Sequence, residues 1–537
     1  MTKNNLPKVA YFCMEYGLES DFKLYAGGLG ILAGDYLKGA KDEGYPIVGV
    51  GIKWKQGYTD KMIDEFGQPY DTYHNYTYDF LEDTGVLVDV YIRRRKVSIK
   101  VWKCEVFGNA TLYLLDTDLD ENPDSWITGQ LYGWFGEERI AQEMVLGIGG
   151  VRALKKLGIV VDVYHFNEGH ALFAGFELMR EELDQGIPFE IAWSICREKI
   201  VFTTHTPVLK GNESHPIDRL MYMGANLGMT NEQLIQLGGD PFNMTVGALR
   251  LAHASNTVAQ LHGNTSRKMW AHISQKAPIQ AITNGIHLLT WVDPEILRAV
   301  KDAELLWEQH QENKRTLINF VFSRTGQLLE EDKLLIGFAR RAVPYKRSDL
   351  IFSDPDIISP LLENQDVQLI FAGRAHPLDD VGKAIAAGLV AMMKKYPSAV
   401  VYLENYDMEI GAWLTRGSDV WLNNPRRLKE ACGTSGMKAA MNGVLNLSIL
   451  DGWWPEACEH GVNGWQFGDG FESDNEKQLD DHDQKALYRV LLEEVIPTYY
   501  DHQDQWIKMM QASIHSTIHA FSMQRMLAEY YEKLYSK

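Results

Sequence analysis

Cysteine is scarce and scattered. The chain has five in 537 residues (Cys13, Cys104, Cys196, Cys432 and Cys458), with no Cys-x-x-Cys pair among them. That fits a reducing compartment and gives no support to a disulfide frame or a cysteine-held zinc, so no metal is expected. Positive charge is short too: 53 Lys+Arg stand against 72 Asp+Glu, a formal net charge of −19. A nucleic-acid-binding face needs the opposite balance, so nucleic acid is not an expected partner. No apolar run reaches the roughly 18 residues of a spanning helix. After Met1–Lys8, Glu15 interrupts the only apolar stretch that a secretory leader could use. A cytoplasmic location away from membranes is the expectation. Internal repeats and low-complexity segments are also missing.

What is present is ordinary for a globular enzyme, with 45% hydrophobic and 23% charged residues. The length suits roughly three to four domain-sized units, or two large ones. Short β-branched runs alternate with amphipathic stretches, the pattern of parallel sheets with crossover helices. The expected strands are Val9–Cys13, Ile47–Ile52, Val160–Phe166, Lys199–Thr203 and Ile279–Ile282, then Leu334–Phe338, Val367–Phe371, Ala399–Leu403, Asp419–Leu422 and Val444–Leu447. Asp302 to Glu331 reads as a helical crossover, Glu472 to Asp483 as a solvated acidic loop, and Tyr499 to Lys537 as a helical tail.

Polar motifs fall just after these strands. Glu15, Asn167 to His170, Thr204 to Pro207 and Asn284 to His287 do so in the first part. Arg340-Arg341, Arg374 to Pro377, Asn405-Tyr406, Asn423 to Arg427 and the segment Glu430 to Lys438 do so in the second. Ligands of open α/β sheets bind beyond the carboxyl ends of their strands. Two such sheets facing each other would close a cleft lined by these residues.

Three segments carry the chemistry. Gly433, Thr434, Ser435 and Gly436 can open a helix whose first N–H groups hold an anion, and Lys438 follows where an amine could anchor an aldehyde cofactor. Alone, the same letters also fit a glycine-rich turn with a solvated lysine, and they are not a Walker A loop. Arg340, Arg341, Lys346 and Arg347, with Tyr345 among them, supply cations for phosphate, or else pair with an acidic surface. Gly27-Gly-Leu-Gly30 lets backbone amides approach an anion, a weak signal outside a dinucleotide fingerprint. His205, in Thr203-Thr-His-Thr-Pro207, reads alone as a structural histidine.

Taken together these motifs resemble the α-glucan (glycogen, starch, maltodextrin) phosphorylases in their short prokaryotic form. Tyr25 to Gly30, Asn167 to His170, Thr203 to Pro207, Thr283 to Ile286 with Trp291, Arg340 to Arg347 and Glu430 to Asn442 follow the family's order over nearly the whole chain. The resemblance implies a GT-B-type α/β fold: two Rossmann-like domains, 1–320 with the glycine loop and sugar motifs and 321–500 with the phosphate and cofactor site. A C-terminal helix, 501–537, packs back. It implies a glycosyltransferase dependent on pyridoxal 5'-phosphate, transferring terminal glucose of an α-1,4-glucan to inorganic phosphate with retention.

By the same resemblance, Lys438 anchors the cofactor, Trp291 packs against its ring, and Arg340, Lys346, Tyr406, Thr434, Ser435 and Gly28 hold phosphate. Arg341 and Lys346 contact the substrate phosphate. Leu29 lies under the sugar. His170 lines the pocket with Glu168, His205 and Asn284 meet the 6-hydroxyl region, Tyr345 and Glu430 bind hydroxyls, and Gly433 donates main-chain bonds. The cofactor's phosphate takes the acid–base part, with no carboxylate pair as in glycosidases. The sequence departs from the family at Thr257, Gln260, Cys432 and Leu428-Lys429, and polymer holding and allosteric control are not carried over. A nucleotide-sugar-dependent glucan synthase and a non-catalytic carbohydrate-binding relative are the competing readings. The preferred glucan, its chain length and the oligomer, a homodimer included, stay open.

Overall fold

Runs such as Val9–Phe12 and Leu334–Ala339 are apolar at every position and buried at every position. They have no polar face to offer water, which suits strands covered on both sides. The computed structural model describes residues 5–133 and 135–536. Met1 to Asn4, at the head of the stretch read for a leader, and Lys537, the last residue of the expected tail, lie outside them. The chain forms two compact units, one of Met1–Thr59, Tyr73–Asn284 and Met523–Lys537, the other of Asp60–Thr72 and Gly285–Ser522. Residue 320, the expected boundary, falls inside the helix Ala303–Thr325, and the expected tail divides after Ser522. No described helix is long and apolar enough to cross a membrane.

The first unit holds a nine-stranded sheet in the order Ile279–Ala281, Ala254–Thr257, Ile200–Thr203, Val163–Asn167, Val9–Phe12, Ile47–Ile52, Leu112–Asp116, Arg95–Cys104, Glu82–Ile92. The pairings are parallel except the last two. Those antiparallel strands were absent from the sequence expectation. Their connection is Arg93-Arg94, with φ of 51° and 63°, so the left-handed turn that joins them lacks the usual Gly or Asn signature. Ala254–Thr257 was missed because it is polar. Asn256 is nonetheless buried, accepting from the Thr203 hydroxyl at 2.6 Å and donating to the Tyr530 hydroxyl at 3.2 Å. The segment Met523–Tyr530 and the turn after it pack on the helix Gly28–Glu43, where the Tyr535 hydroxyl bonds Tyr36 and His165, each at 2.6 Å.

The second unit holds a six-stranded, all-parallel sheet in the order Val400–Leu403, Val367–Ala372, Leu334–Ala339, Val420–Asn423, Leu445–Ile449, Gly464–Phe467. The expected crossover is the helix Ala303–Thr325, started by Asp302, whose carboxylate accepts from Glu304 and Leu305 N–H, and ended by Gly326 at φ 71°. The ribbon Asp60–Thr72 joins this unit through Lys61 N–H to Asn405 Oδ1 (3.4 Å) and Asp71 to Lys383 (3.1 Å). One expectation is corrected. The acidic patch Glu472 to Asp483 is not a loop throughout, because the helix Glu476–Val490 starts within it. Asn475 caps that helix, and its Asp480 and Asp483 hold Arg347 at 2.9 and 2.8 Å.

Among the parallel strands of each sheet the order reverses at one place, and polar side chains gather there, as the rule for open α/β sheets requires. In the first unit it lies between Val9–Phe12 and Val163–Asn167, where Asn167 donates to Cys13 Sγ at 3.3 Å. In the second it lies between Leu334–Ala339 and Val420–Asn423, where Arg340 donates to Asn423 Oδ1 at 2.5 Å.

Candidate active site

In the second unit Gly433 adopts φ 83°, ψ 54°, and starts the helix Thr434–Met441. The left-handed conformation is what glycine permits at no steric cost. Lys438 lies on this helix, buried, with Nζ 3.3 Å from the centroid of the Trp291 ring. Both ends of that contact are fixed by Asn442, which donates to the carbonyls of Lys438 at 2.9 Å and Trp291 at 3.1 Å. Ser435 Oγ accepts from Trp421 Nε1 at 3.3 Å. Thr434 is half-buried at the helix start.

Cations surround the same turn. Lys346 is paired with the Glu430 carboxylate, and Arg340 Nη1 lies 3.7 Å from it. Burial pushes the Glu430 carboxyl up, but Lys346, Arg340 and Arg341 together hold it below the usual carboxylate range. The Arg340 Nε is buried without a hydrogen-bond partner. Tyr345 lies under the Lys346 ammonium, 4.9 Å from ring centroid to Nζ. Burial pushes the Tyr406 hydroxyl up to about 12, with Arg340 pulling the other way. Arg341 is exposed.

One reading of this region changes. Arg347 is not a phosphate cation in waiting: it is buried, donates to the carbonyls of Asn424 and Pro425, and pairs with Asp480 and Asp483. Lys429, next to Glu430 in sequence, pairs with Glu476 at 2.7 Å. Sequence reasoning also missed Asp451. It follows the strand Leu445–Ile449 and accepts from the N–H of Glu430 at 3.0 Å, and only its position after a strand hinted at this.

In the first unit Glu15 organises the glycine loop. Its carboxylate accepts from Ala26 and Gly27 N–H at 2.7 and 3.0 Å and from the Tyr132 hydroxyl at 2.8 Å. A Cβ on Gly30 would come within 2.6 Å of that carboxylate, while one on Gly27 or Gly28 would meet nothing within 4 Å. At the start of the helix Gly28–Glu43 the backbone is therefore open on the Cβ side of these two glycines. Leu29 beside them is half-buried.

Glu168 sits at φ 74° after its strand, a strained position that the surrounding bonds must hold. Its carboxylate accepts from His205 N–H (2.8 Å), Gly169 N–H (3.2 Å) and the Thr206 hydroxyl (3.2 Å). His205 Nε2 lies 2.6 Å from Asn167 Oδ1, and Asn167 Nδ2 is used on Cys13. The Asn167 oxygen accepts, so Nε2 of His205 carries the proton and Nδ1 is an acceptor. Burial, with the charge of His262, pushes His205 down to about 3. Burial and Arg139 push His170 down to about 3 as well. Both imidazoles are neutral at physiological pH. Asn284 is buried with its Oδ1 lacking a hydrogen-bond partner, while Arg525 holds its carbonyl at 2.9 Å.

Among the departures, Thr257 is buried and bonds the Gln280 carbonyl, and Gln260 begins the helix Gln260–Met269. Cys432 is buried, with its carbonyl accepting from Trp453 N–H at 2.9 Å. A backbone contact of this kind is indifferent to a Ser-to-Cys change.

A family model described as carbohydrate phosphorylase matches residues 296–495. Maltodextrin phosphorylase of Thermococcus litoralis is 38% identical, across 99% of this chain and 71% of its own length. Glycogen phosphorylase of Aquifex aeolicus is 36% identical, across 98% of this chain and 86% of its own length. An uncharacterized protein of Methanocaldococcus jannaschii is 38% identical across 98% of this chain and 99% of its own.

Proposed function

Because the chain belongs to the carbohydrate phosphorylase family, we propose that it is a pyridoxal phosphate-dependent α-1,4-glucan phosphorylase, releasing glucose 1-phosphate with retention. The observation that carries this reading is the buried Lys438 amine against Trp291, on a glycine-opened helix beside Arg340, Lys346 and Glu430. These residues suit the cofactor. An aromatic face lies at the amine, Arg340 Nε is a buried donor without a partner, and the first amides of the helix Thr434–Met441 add dipole attraction for phosphate.

Lys438 would hold the cofactor covalently, with Arg340, Tyr406, Thr434 and Ser435 at its phosphate and Gly28 as a further amide donor. When bound, it would supply an ionisable phosphate able to exchange a proton with the substrate phosphate. The remaining work falls to the chain's side chains. Arg341 and Lys346 neutralise inorganic phosphate and stabilise charge as the glycosidic bond opens. Glu430, kept ionised by its cations, accepts from sugar hydroxyls, and Gly433 donates to them, with Tyr345 beside them. In the first unit His205 offers Nδ1 as an acceptor for a hydroxyl. A proton-transfer role suits it poorly with the imidazole held neutral at a pKa of about 3. Asn284 Oδ1, lacking a partner, is a second acceptor, Leu29 gives the sugar an apolar contact, and His170 shapes the pocket.

Borohydride reduction of purified protein, with intact-mass and peptide analysis, tests the anchor: one cofactor adduct at Lys438 is expected, and an adduct elsewhere or none after reconstitution overturns it. Incubation with maltodextrin and phosphate should release glucose 1-phosphate. Glucan synthesis from a nucleotide sugar, without phosphorolysis, would overturn the reaction.

A further inference from the structure

Beside His170 the first unit gathers side chains that the proposed reaction does not use. Glu143 lies on the helix Glu137–Met144, and Glu213 and His215 lie at the short strand Ser214–His215. Ligand atoms of Glu143, His170 and Glu213 all fall within 4.8 Å of one another. His215 Nε2 stands 3.3 Å from Glu213 Oε1 and 3.6 Å from Glu143 Oε2. Glu143 is 0% and His215 3% exposed.

Buried polar atoms are normally hydrogen-bonded, because leaving them unpaired costs about 1–3 kcal/mol each. Here both carboxylate oxygens of Glu143, Nδ1 of His170 and Nε2 of His215 have no hydrogen-bond partner. The neighbouring cation does not supply one. Arg139 Nε lies 3.4 Å from Glu143 Oε1 and 3.5 Å from Glu213 Oε2 without hydrogen-bond geometry, and its Nη1 also lacks a partner. The guanidinium is stacked instead over Tyr132, 4.9 Å from the ring centroid. Several donors and acceptors thus converge on one space within ion-pair distance, while both Glu143 oxygens, His170 Nδ1 and His215 Nε2 make no hydrogen bond.

We propose that Glu143, His170, Glu213 and His215 form a binding site for a divalent transition cation of the zinc class. Nitrogen and oxygen ligands of four-coordinate zinc lie about 2.0–2.2 Å from the ion, which spaces them about 3.4 Å apart. The two separations from His215 already match that edge. Two imidazoles with two carboxylates select a borderline ion over magnesium or calcium, which take oxygen ligands. The charge of Arg139 opposes the ion and limits its affinity. Bound there, the ion would tie the helix Glu137–Met144, the turn Gly169–Ala171 and the segment at His215 together.

The test uses the full chain, stripped with chelator and dialysed against zinc chloride, with elemental mass spectrometry and thermal unfolding as readouts. Wild type should retain one zinc per chain and unfold at a higher temperature with zinc than without. Glu143→Gln and His215→Gln should each weaken zinc binding by at least about tenfold. Equal zinc on wild type and both variants, no retained zinc, or magnesium retained as well as zinc would overturn the site. Should a variant fail to fold, cobalt(II) titration of wild type decides. Saturation at one equivalent with the intense visible bands of a four-coordinate ion supports the proposal, and the weak spectrum of an octahedral ion overturns it.

Discussion

The main-chain N–H of Glu430 donates to the buried carboxylate of Asp451 at 3.0 Å, so one acid fixes the backbone of another whose side chain is turned to Lys346 and Arg340. Asp451 also accepts from Gly452 N–H at 2.8 Å. The turn that presents Glu430 is thereby set from behind.

Asp451 gives the first prediction. Burial, with the Glu430 charge adding to it, lifts its carboxyl to about 7, whereas an unfolded aspartate titrates near about 3.9. The folded chain therefore binds the proton more tightly, and stability from this group is lost as pH rises from about 4 through about 7. Asp451→Asn cannot titrate. Its deficit in thermal midpoint against wild type should be largest near pH 4 and shrink towards pH 8. A deficit independent of pH would contradict the assignment.

Glu430→Gln should leave the fold and cofactor binding intact while raising KM for maltodextrin and lowering turnover. Charge-assisted bonds of about 1.5–3 kcal/mol to hydroxyls are at stake, and the partner lost by Lys346 is no substitute for them. Steady-state kinetics and a cofactor titration on the variant separate the two effects.

Arg341→Ala and Arg347→Ala should diverge despite their closeness in sequence. Removing exposed Arg341 should change stability by no more than about 0.5 kcal/mol yet sharply raise the phosphate requirement. Removing buried Arg347 strips Asp483 of its arginine and the Asn424 and Pro425 carbonyls of their donor, while Asp480 keeps Arg426, a loss of about 3–5 kcal/mol. Thermal unfolding and phosphate-dependent kinetics on both variants check this.

Glycine packing gives a paired test. A Cβ on Gly34 would stand 1.9 Å from the Gly17 carbonyl oxygen, a main-chain atom that cannot swing aside, so Gly34→Ala should cost more than about 3 kcal/mol. Gly388, inside the helix Asp380–Lys395, would meet nothing within 4 Å, and Gly388→Ala should stabilise by about 0.5–1 kcal/mol. Midpoints shifted in the same direction would refute the packing argument.

Most of the parallel sheets could be read directly, because strands such as Leu334–Ala339 are apolar throughout and end at a polar motif. What escaped notice was whatever depends on contacts distant in sequence. The Arg93-Arg94 turn carries no glycine, and Ala254–Thr257 hides polar residues whose partners lie elsewhere, such as Tyr530 for Asn256. Arg347 looked like a companion of Arg340 until the helix Glu476–Val490 supplied its carboxylates. Spacing along the chain could not relate Glu143, His170 and His215, which only folding brings together.

The first unit is closed by Met523–Lys537, which follow the whole of Gly285–Ser522. A ribosome must therefore complete the second sheet before it delivers Tyr530 and Tyr535, whose hydroxyls reach Asn256 and His165. For most of synthesis the earlier unit waits with polar side chains of its core unmet, a long exposure in which chaperones have time to bind. Cutting the chain after Ser522 would make that waiting state permanent.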